Sequence, residues 1–160
     1  MKRGRHRSRS VTLRMRQIHV LNGPNLNLLG QREPGIYGAA TLADVEAEMR
    51  ALGEKHGVAV TCRQSNHEGE LVTWVQEAGR TGADVILNAG GYTHTSVALR
   101  DAIKGSGARA IEVHISNVHA REEFRHHSYL SPVVAGIIVG FGIAGYRLAF
   151  QALLEMKPAT

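Results

Sequence analysis

The chain has 160 residues, of which 43% are hydrophobic, so it is long and apolar enough to fold around one core. Its formal net charge of +5 would suit a nucleic-acid partner. However, seven of its 19 basic side chains lie within residues 1–16, and the rest of the chain carries 12 basic and 14 acidic residues. The single cysteine, Cys62, excludes an internal disulfide and a cysteine-based zinc site, and no apolar run has the length of a membrane span.

The basic segment opens the chain. A block of like charges is typical of a disordered extension, and this one lacks the apolar stretch of a secretory signal. We therefore expect a tail over residues 1–16 and a single folded domain over residues 17–157. The alternative is a tail that binds nucleic acid. Met15 is a second candidate for the native start, because order is expected to begin at Gln17.

Five apolar, β-branched runs alternate with four amphipathic patterns along the rest of the chain. The predicted strands cover residues 18–21, 58–62, 84–88, 110–114 and 133–139, and the predicted helices cover 41–52, 70–79, 95–105 and 143–156. Thr41 is placed to cap the first helix, and Asp101 points away from the inner face of the third. The fifth run alternates too little for a half-exposed strand, so we expect it to be buried on both faces.

This alternation predicts an α/β three-layer sandwich, in which helices cover both faces of a parallel sheet. The commonest small version is flavodoxin-like, with five strands in the order 2-1-3-4-5. Its ligands bind beyond the carboxyl ends of the strands, where the strand order reverses. Polar segments follow the first, third and fourth predicted strands, at residues 22–38, 88–96 and 114–128. We expect these three segments to converge on one crevice.

Residues 140–145, GFGIAG, match the glycine fingerprint of dinucleotide-binding loops. The motif follows the last predicted strand, and only 15 residues come after Gly145. That leaves no room for the acidic residue about 20 positions on that binds the ribose. We interpret the glycines as allowing a helix to pack tightly on a strand. A module that binds a nucleotide or a flavin is the alternative function.

Two candidate acid–base groups lie in the expected crevice. Tyr37 shares a loop rich in glycine and proline with Arg32, and a nearby guanidinium favours the phenolate, so the pair suits a general base on a closing lid. His114 ends the fourth predicted strand with Glu112 on the same face, which suits proton donation to a leaving group. The alternatives are a tyrosine that covers the core and a structural histidine.

Groups able to bind a hydroxyl, a carboxylate or a water surround the same crevice. They are the side chains of Asn25, Asn88, His94, Arg121 and Arg125 and the backbone N–H groups of Ile115 and Ser116. The two arginines lie four residues apart and share a face if their segment is helical. Ion pairing with Glu122 and Glu123 is the alternative.

Neither metal nor imine catalysis is expected. The nine histidines show no spacing typical of a metal site, and none of the four lysines lies at the end of a predicted strand. The groups present suit proton abstraction beside a carbonyl, with loss of water from a small polyhydroxylated acid.

Four segments, LNGPNLNLLGQREPGIYG, RQSNHEGELV, NAGGYTHTSVALRDAI and IEVHISNVHAREEFRHHSYLSP, closely resemble type II 3-dehydroquinate dehydratases. The resemblance covers residues 18–153 and implies a flavodoxin-like, cytoplasmic lyase of the shikimate pathway. Such an enzyme converts 3-dehydroquinate to 3-dehydroshikimate and water by anti elimination through an enolate, without metal or cofactor. The resemblance also implies a homododecamer, a tetramer of trimers, with no nucleic-acid or membrane partner. Biosynthesis and quinate breakdown both stay open as its role.

The same resemblance implies roles for individual residues. Tyr37 would take the proton at C2, Arg32 would hold Tyr37 anionic, and His114, supported by Glu112, would protonate the departing C1 hydroxyl. Asn25 would position a water, Arg121 would be a further arginine facing the loop, and Asp101 would contact the site of a neighbouring subunit. The residues that would bind the substrate are Asn88, His94, Ile115, Ser116 and Arg125.

Overall fold

The structure, a computed structural model, describes residues 14–31, 35 and 38–158. Residues 1–13 of the predicted tail lie outside that part of the chain, so the division into tail and domain stays a prediction. The described residues form one parallel sheet of five strands in the order β2-β1-β3-β4-β5, which confirms the predicted topology. The strands are β1 (Gln17–Asn22), β2 (Ala59–Gln64), β3 (Asp84–Asn88), β4 (Ala110–His114) and β5 (Gly136–Val139).

Four α-helices connect and cover these strands. They are α1 (Leu42–His56), α2 (Glu68–Thr81), α3 (Val97–Ser106) and α4 (Ala144–Glu155). Thr41 caps α1 as predicted, because its Oγ1 accepts the N–H of Asp44 at 3.2 Å while the Asp44 carboxylate accepts the N–H of Thr41 at 2.9 Å. None of the helices in the described ranges is long and apolar enough to cross a bilayer.

A hydrophobic core lies on each face of the sheet. On one face Ile18, Ile86 and Val113 pack with side chains of α1 and α4, and on the other Leu21 and Leu87 pack with side chains of α2 and α3. The side chains of successive strand residues point to opposite faces, so each central strand contributes to both cores. Burial on both sides fixes the strand register and therefore the position of each strand's carboxyl end.

An ion cluster closes the opposite end of the sheet. Asp84, 1% exposed, accepts from Arg16 at 2.8 Å and from Arg109 at 2.7 Å. Arg16 also donates to the backbone oxygen of Leu153 at 2.6 Å. Arg16 falls within the predicted tail, yet in the structure it ties the start of β1 to the end of α4.

The prediction for the fifth strand was wrong in its extent and its burial. β5 begins at Gly136, because the chain first forms a short 3-10 helix, Ser131–Val133, that contains Pro132. Ile137 is 48% exposed, since β5 lies at the edge of the sheet and one of its faces is incompletely covered. An unbroken apolar run does not distinguish a central strand from an edge strand.

Candidate active site

A cleft of about 170 Å³ lies at the carboxyl ends of β1, β3 and β4. The segments that follow these three strands line it, as the strand order predicted. Of the candidate residues named from the sequence, those that line the cleft are Asn25, Asn88, His94, His114, Ile115, Ser116, Arg121 and Arg125.

A buried pair of titratable side chains lies at the end of β4, and one of the two, His114, lines the cleft. The Nε2 atom of His114 is 2.7 Å from Oε2 of Glu112, and the two residues are 6% and 1% exposed. They are two positions apart on β4, so their side chains leave the same face of the sheet. An ionised carboxylate can only accept, so Nε2 of His114 donates to it. The remaining nitrogen, Nδ1, is then available to a ligand in the cleft.

Two serines that sequence reasoning missed complete the surroundings of Glu112. Ser128 Oγ lies 3.0 Å from Oε1 of Glu112, and Ser131 Oγ lies 3.1 Å from both carboxylate oxygens. Both serines fall in the stretch HHSYLSP, and no spacing rule links that stretch to a carboxylate 16 residues earlier. Their contribution is visible only in the folded chain.

His94 is held as a neutral ring. Burial is the largest effect and lowers the pKa of His94. The hydrogen bond to the carbonyl of His127 comes next and raises the pKa, while the charges of His114 and Arg125 lower it and that of Glu112 raises it, and the pKa stays below its ordinary value. That carbonyl accepts from Nδ1 of His94 at 2.8 Å, which leaves Nε2 as an acceptor. The rings of His94 and His114 stack with centroids 6.3 Å apart, so two imidazoles lie side by side in the cleft.

The amide of Asn88 is fixed by a buried network that extends to α4. Nδ2 of Asn88 donates to the hydroxyl of Tyr146 at 2.9 Å, and that hydroxyl donates to Oδ1 of Asn22 at 2.5 Å. Burial raises the pKa of Tyr146, so its phenol stays protonated and acts as a donor. Oδ1 of Asn88 accepts the N–H of Gly90 at 3.2 Å, which leaves the second Nδ2 hydrogen for a ligand.

Asn25 lies at the rim of the cleft in a left-handed conformation, with φ of 68°. Its N–H donates to Oδ1 of Asn66 at 3.0 Å, and the carbonyl of Asn66 accepts the hydroxyl of Tyr92 at 2.5 Å. Asn66 therefore ties together the loops after β1 and β3. Asparagine adopts this backbone region at low cost. Sequence reasoning missed Asn66, whose role depends on contacts 41 and 26 residues away.

The segment that carries the two arginines forms no α-helix. It contains the short 3-10 helices Val118–Ala120 and Glu123–Arg125, so helical spacing does not explain why both arginines line the cleft. Nη1 of Arg121 donates to the hydroxyl of Ser116 at 3.3 Å, and Nε of Arg125 donates to Glu122 at 2.8 Å. Arg125 thus forms the ion pair with Glu122 that was the alternative interpretation from the sequence, and it also lines the cleft.

The GFGIAG motif holds the end of β4 in place. The N–H groups of Gly140 and Gly142 donate to the carbonyls of His114 at 3.1 Å and Ile115 at 2.9 Å, from backbone with φ of 93° and 61°. A Cβ atom at Gly145 would lie 3.2 Å from Val113, which supports the interpretation of tight packing. Because two of its N–H groups are already bonded, the motif is poorly suited to cradling a phosphate.

Three of the predicted residues are not brought into the cleft by the described chain. Arg32 and Tyr37 lie outside the described residues. Asp101 is exposed on α3, next to Gln76 and Arg80, and does not line the cleft of its own chain. Within the described ranges, no group of three histidine, cysteine or acidic side chains could hold a metal ion.

Comparisons with known proteins point to one family. The sequence profile described as dehydroquinase class II matches residues 16–154. The chain is 68% identical over 143 residues to a 3-dehydroquinate dehydratase of Azorhizobium caulinodans, covering 89% of this chain and 96% of that protein. It is 63% identical over 145 residues to the 3-dehydroquinate dehydratase of Variovorax paradoxus, covering 88% and 99%.

Solved structures agree with the sequence relatives. The type II dehydroquinase from Propionibacterium acnes matches with a TM-score of 0.83 and 45% identity, covering 86% of this chain and 95% of that one. The type II dehydroquinase from Butyrivibrio crossotus matches with a TM-score of 0.85 and 45% identity, covering 88% and 99%.

Proposed function

The chain belongs to the class II dehydroquinase family, and we propose that it is a hydro-lyase that converts 3-dehydroquinate to 3-dehydroshikimate and water in the shikimate pathway. The observation that carries the proposal is the buried Glu112–His114 pair, with Nδ1 of His114 left for a ligand in a cleft lined by hydroxyl- and carboxylate-binding groups. That arrangement fits loss of a hydroxyl from a small polyhydroxylated acid.

The reaction proceeds in two proton transfers. A base removes a proton from C2, beside the C3 ketone, and the electron pair forms an enolate. The enolate then collapses, the C1–O bond breaks, and His114 protonates the departing hydroxyl from Nδ1, so that water leaves and a conjugated enone remains. Nε2 keeps its hydrogen bond to Glu112 throughout, which stabilises the imidazolium before transfer and fixes the ring orientation.

The base in this proposal is Tyr37, held anionic by Arg32. Support for the pair comes from the sequence, where both fall in the loop segment that resembles the family, and from the effect of a guanidinium on a phenol. Asn25, at the rim of the cleft, positions a water against the enolate oxygen.

Substrate binding uses the fixed groups of the cleft. Nε2 of His94 accepts a substrate hydroxyl, and the free N–H of Asn88 donates to another. The carboxylate is bound by the backbone N–H groups of Ile115 and Ser116. The N–H of Ser116 points away from the Ile115 carbonyl that Gly142 holds, because the peptide group is planar and trans. Arg125 adds positive charge at the same wall.

The assembly in this proposal is a homododecamer, a tetramer of trimers, located in the cytoplasm. Its support is the resemblance to the family, which implies a contact from Asp101 to a neighbouring subunit's site, together with the exposed position of Asp101 on α3. The single half-buried cysteine suits a reducing compartment.

Two variants separate the proton transfers. Tyr37→Phe is expected to lose dehydration and also exchange of the C2 protons with deuterated solvent, because it removes the base. His114→Asn is expected to lose about 10²- to 10⁴-fold in kcat yet keep C2 exchange, because the enolate still forms. His67→Gln, an exposed histidine outside the cleft, is the control and keeps both. Near-normal dehydration in Tyr37→Phe would overturn the assigned base.

A further inference from the structure

The carboxylate of Glu112 is removed from solvent and surrounded by donors. Nε2 of His114 contacts Oε2, Ser128 contacts Oε1, and Ser131 contacts both oxygens, at 2.7 to 3.1 Å. A charged carboxylate that is 1% exposed needs such partners, because burial without them is strongly unfavourable. Each donor that contacts Glu112 therefore favours its charged form.

The direction of the Ser128 hydrogen bond follows from its other contacts. Ser128 Oγ accepts the backbone N–H groups of Leu130 at 3.0 Å and Ser131 at 3.1 Å. A hydroxyl has two lone pairs and one hydrogen, so these bonds leave its hydrogen for Glu112. Ser131 Oγ lies 3.1 Å from both oxygens of Glu112, so its one hydrogen can be donated to the carboxylate.

Residues 128–131, which we call the serine turn, are anchored independently of Glu112. The N–H of Tyr129 donates to the carbonyl of Thr93 at 2.9 Å, and Arg100 donates to the carbonyl of Tyr129 at 3.1 Å. Leu130 is fully buried in the core. The two hydroxyls are thus held in place before Glu112 bonds to them, which is the preorganisation that makes electrostatic stabilisation effective.

We propose that Ser128 and Ser131 are positioning residues that keep Glu112 ionised and so keep the proton for catalysis on His114. The pair can exist as Glu112 carboxylate with His114 imidazolium, or as Glu112 carboxylic acid with neutral His114. Only the imidazolium is acidic enough to protonate the leaving hydroxyl. Hydrogen bonds to the carboxylate favour the charged form, so the serine turn selects the competent state. This inference rests on the proposed function for His114.

Ser131→Ala is the sharpest test, because the contacts of the Ser131 hydroxyl are to Glu112 and the residue does not line the cleft. We expect kcat to fall about tenfold or more while KM changes less than about twofold, since a hydrogen bond to a charged group is lost. Ser131→Thr keeps the hydroxyl and should restore most of kcat. Thr73→Ala removes an exposed hydroxyl on α2 and should leave both constants unchanged.

A spectroscopic measurement on the full chain makes the test independent of turnover. Nitrogen-15 spectra of the histidine rings, assigned with His114→Asn, report whether His114 is protonated. At a pH where the wild-type ring is protonated, we expect Ser131→Ala to move its resonances toward those of a neutral ring. Unchanged resonances with unchanged kcat would overturn the inference, as would a loss of kcat that Ser131→Thr does not restore. A wild-type protein that never dehydrates 3-dehydroquinate would instead overturn the proposed function, while the spectra still decide the effect of the serines.

Discussion

Tyr146→Phe removes one oxygen atom from the centre of the network that fixes Asn88. The ring of Tyr146 is fully buried in α4 and can stay in place as phenylalanine. The hydroxyl, however, is the partner of both Oδ1 of Asn22 and Nδ2 of Asn88. Nδ2 of Asn22 already lacks a partner within the described chain, so the variant leaves both amides poorly satisfied.

The magnitude follows from the number of polar atoms left without a partner. Leaving a buried donor or acceptor unsatisfied costs about 1–3 kcal/mol, so losing the partner of two such atoms should lower the free energy of unfolding by about 2–6 kcal/mol. At about 2–4 °C for each kcal/mol, a domain of this size should show a fall in Tm of about 4–24 °C. Because Asn88 lines the cleft, we also expect KM to rise.

Urea unfolding of the wild type and the variant, with steady-state kinetics on each, measures both effects. Tyr129→Phe is the matched control, since the Tyr129 hydroxyl makes no hydrogen bond to the described part of the chain and its loss should leave stability within about 0.5 kcal/mol. A Tyr146→Phe protein as stable as the control would show that the two amides re-pair without the phenol, and the argument for Asn88 would fail.

Three other predictions concern stability. Asp84→Asn should lower the free energy of unfolding by about 3–5 kcal/mol in urea melts, because the half-buried guanidinium groups of Arg16 and Arg109 lose their common counter-ion. A loss below about 1 kcal/mol would contradict a stabilising role for this ion cluster. Gly140→Ala, at φ of 93°, should lower the free energy of unfolding by about 1–3 kcal/mol and should reduce kcat. Gly105→Ala, in open space on α3, should leave the free energy of unfolding unchanged or raise it, and equal effects of the two substitutions would refute the role of Gly140 in holding the end of β4. Burial, and next the charge of Arg63, lower the pKa of His19 in the folded protein. As the pH drops, His19 therefore takes up its proton in the unfolded chain before it does so in the folded chain. The free energy of unfolding should be constant with respect to His19 above pH 6.5 and should fall as the pH drops below that value. His19→Leu should make that fall smaller, and an identical pH dependence would exclude His19 as a cause.

Most of the fold could be predicted from the sequence because it depends on local periodicity and on general rules of chain connection. The alternation of strands and helices and the commonest strand order predict the sheet that is observed. The exception is β5, where an unbroken apolar run predicts a strand buried on both faces. The 3-10 helix that contains Pro132 delays the start of β5, and the position at the sheet edge, which depends on tertiary context, leaves Ile137 exposed.

The site could be predicted to the extent that strand ends place residues. Glu112 and His114 share a face of β4, Asn88 ends β3 and His94 follows it, so the topology brings His114, Asn88 and His94 to one cleft. Contacts between separate loops could not be read from the sequence. Ser128, Ser131 and Asn66 act through hydrogen bonds to distant segments. Arg121 and Arg125 both line the cleft although their segment forms no α-helix.

The most direct test of the account is the ultraviolet absorbance of the purified full-length protein mixed with 3-dehydroquinate, after treatment with a chelator and with borohydride. Dehydration forms a conjugated enone, so the product appears as new absorbance. We predict a steady rise whose rate survives both treatments and falls about 10²- to 10⁴-fold in His114→Asn. No rise from the folded wild-type protein would contradict the proposed dehydratase.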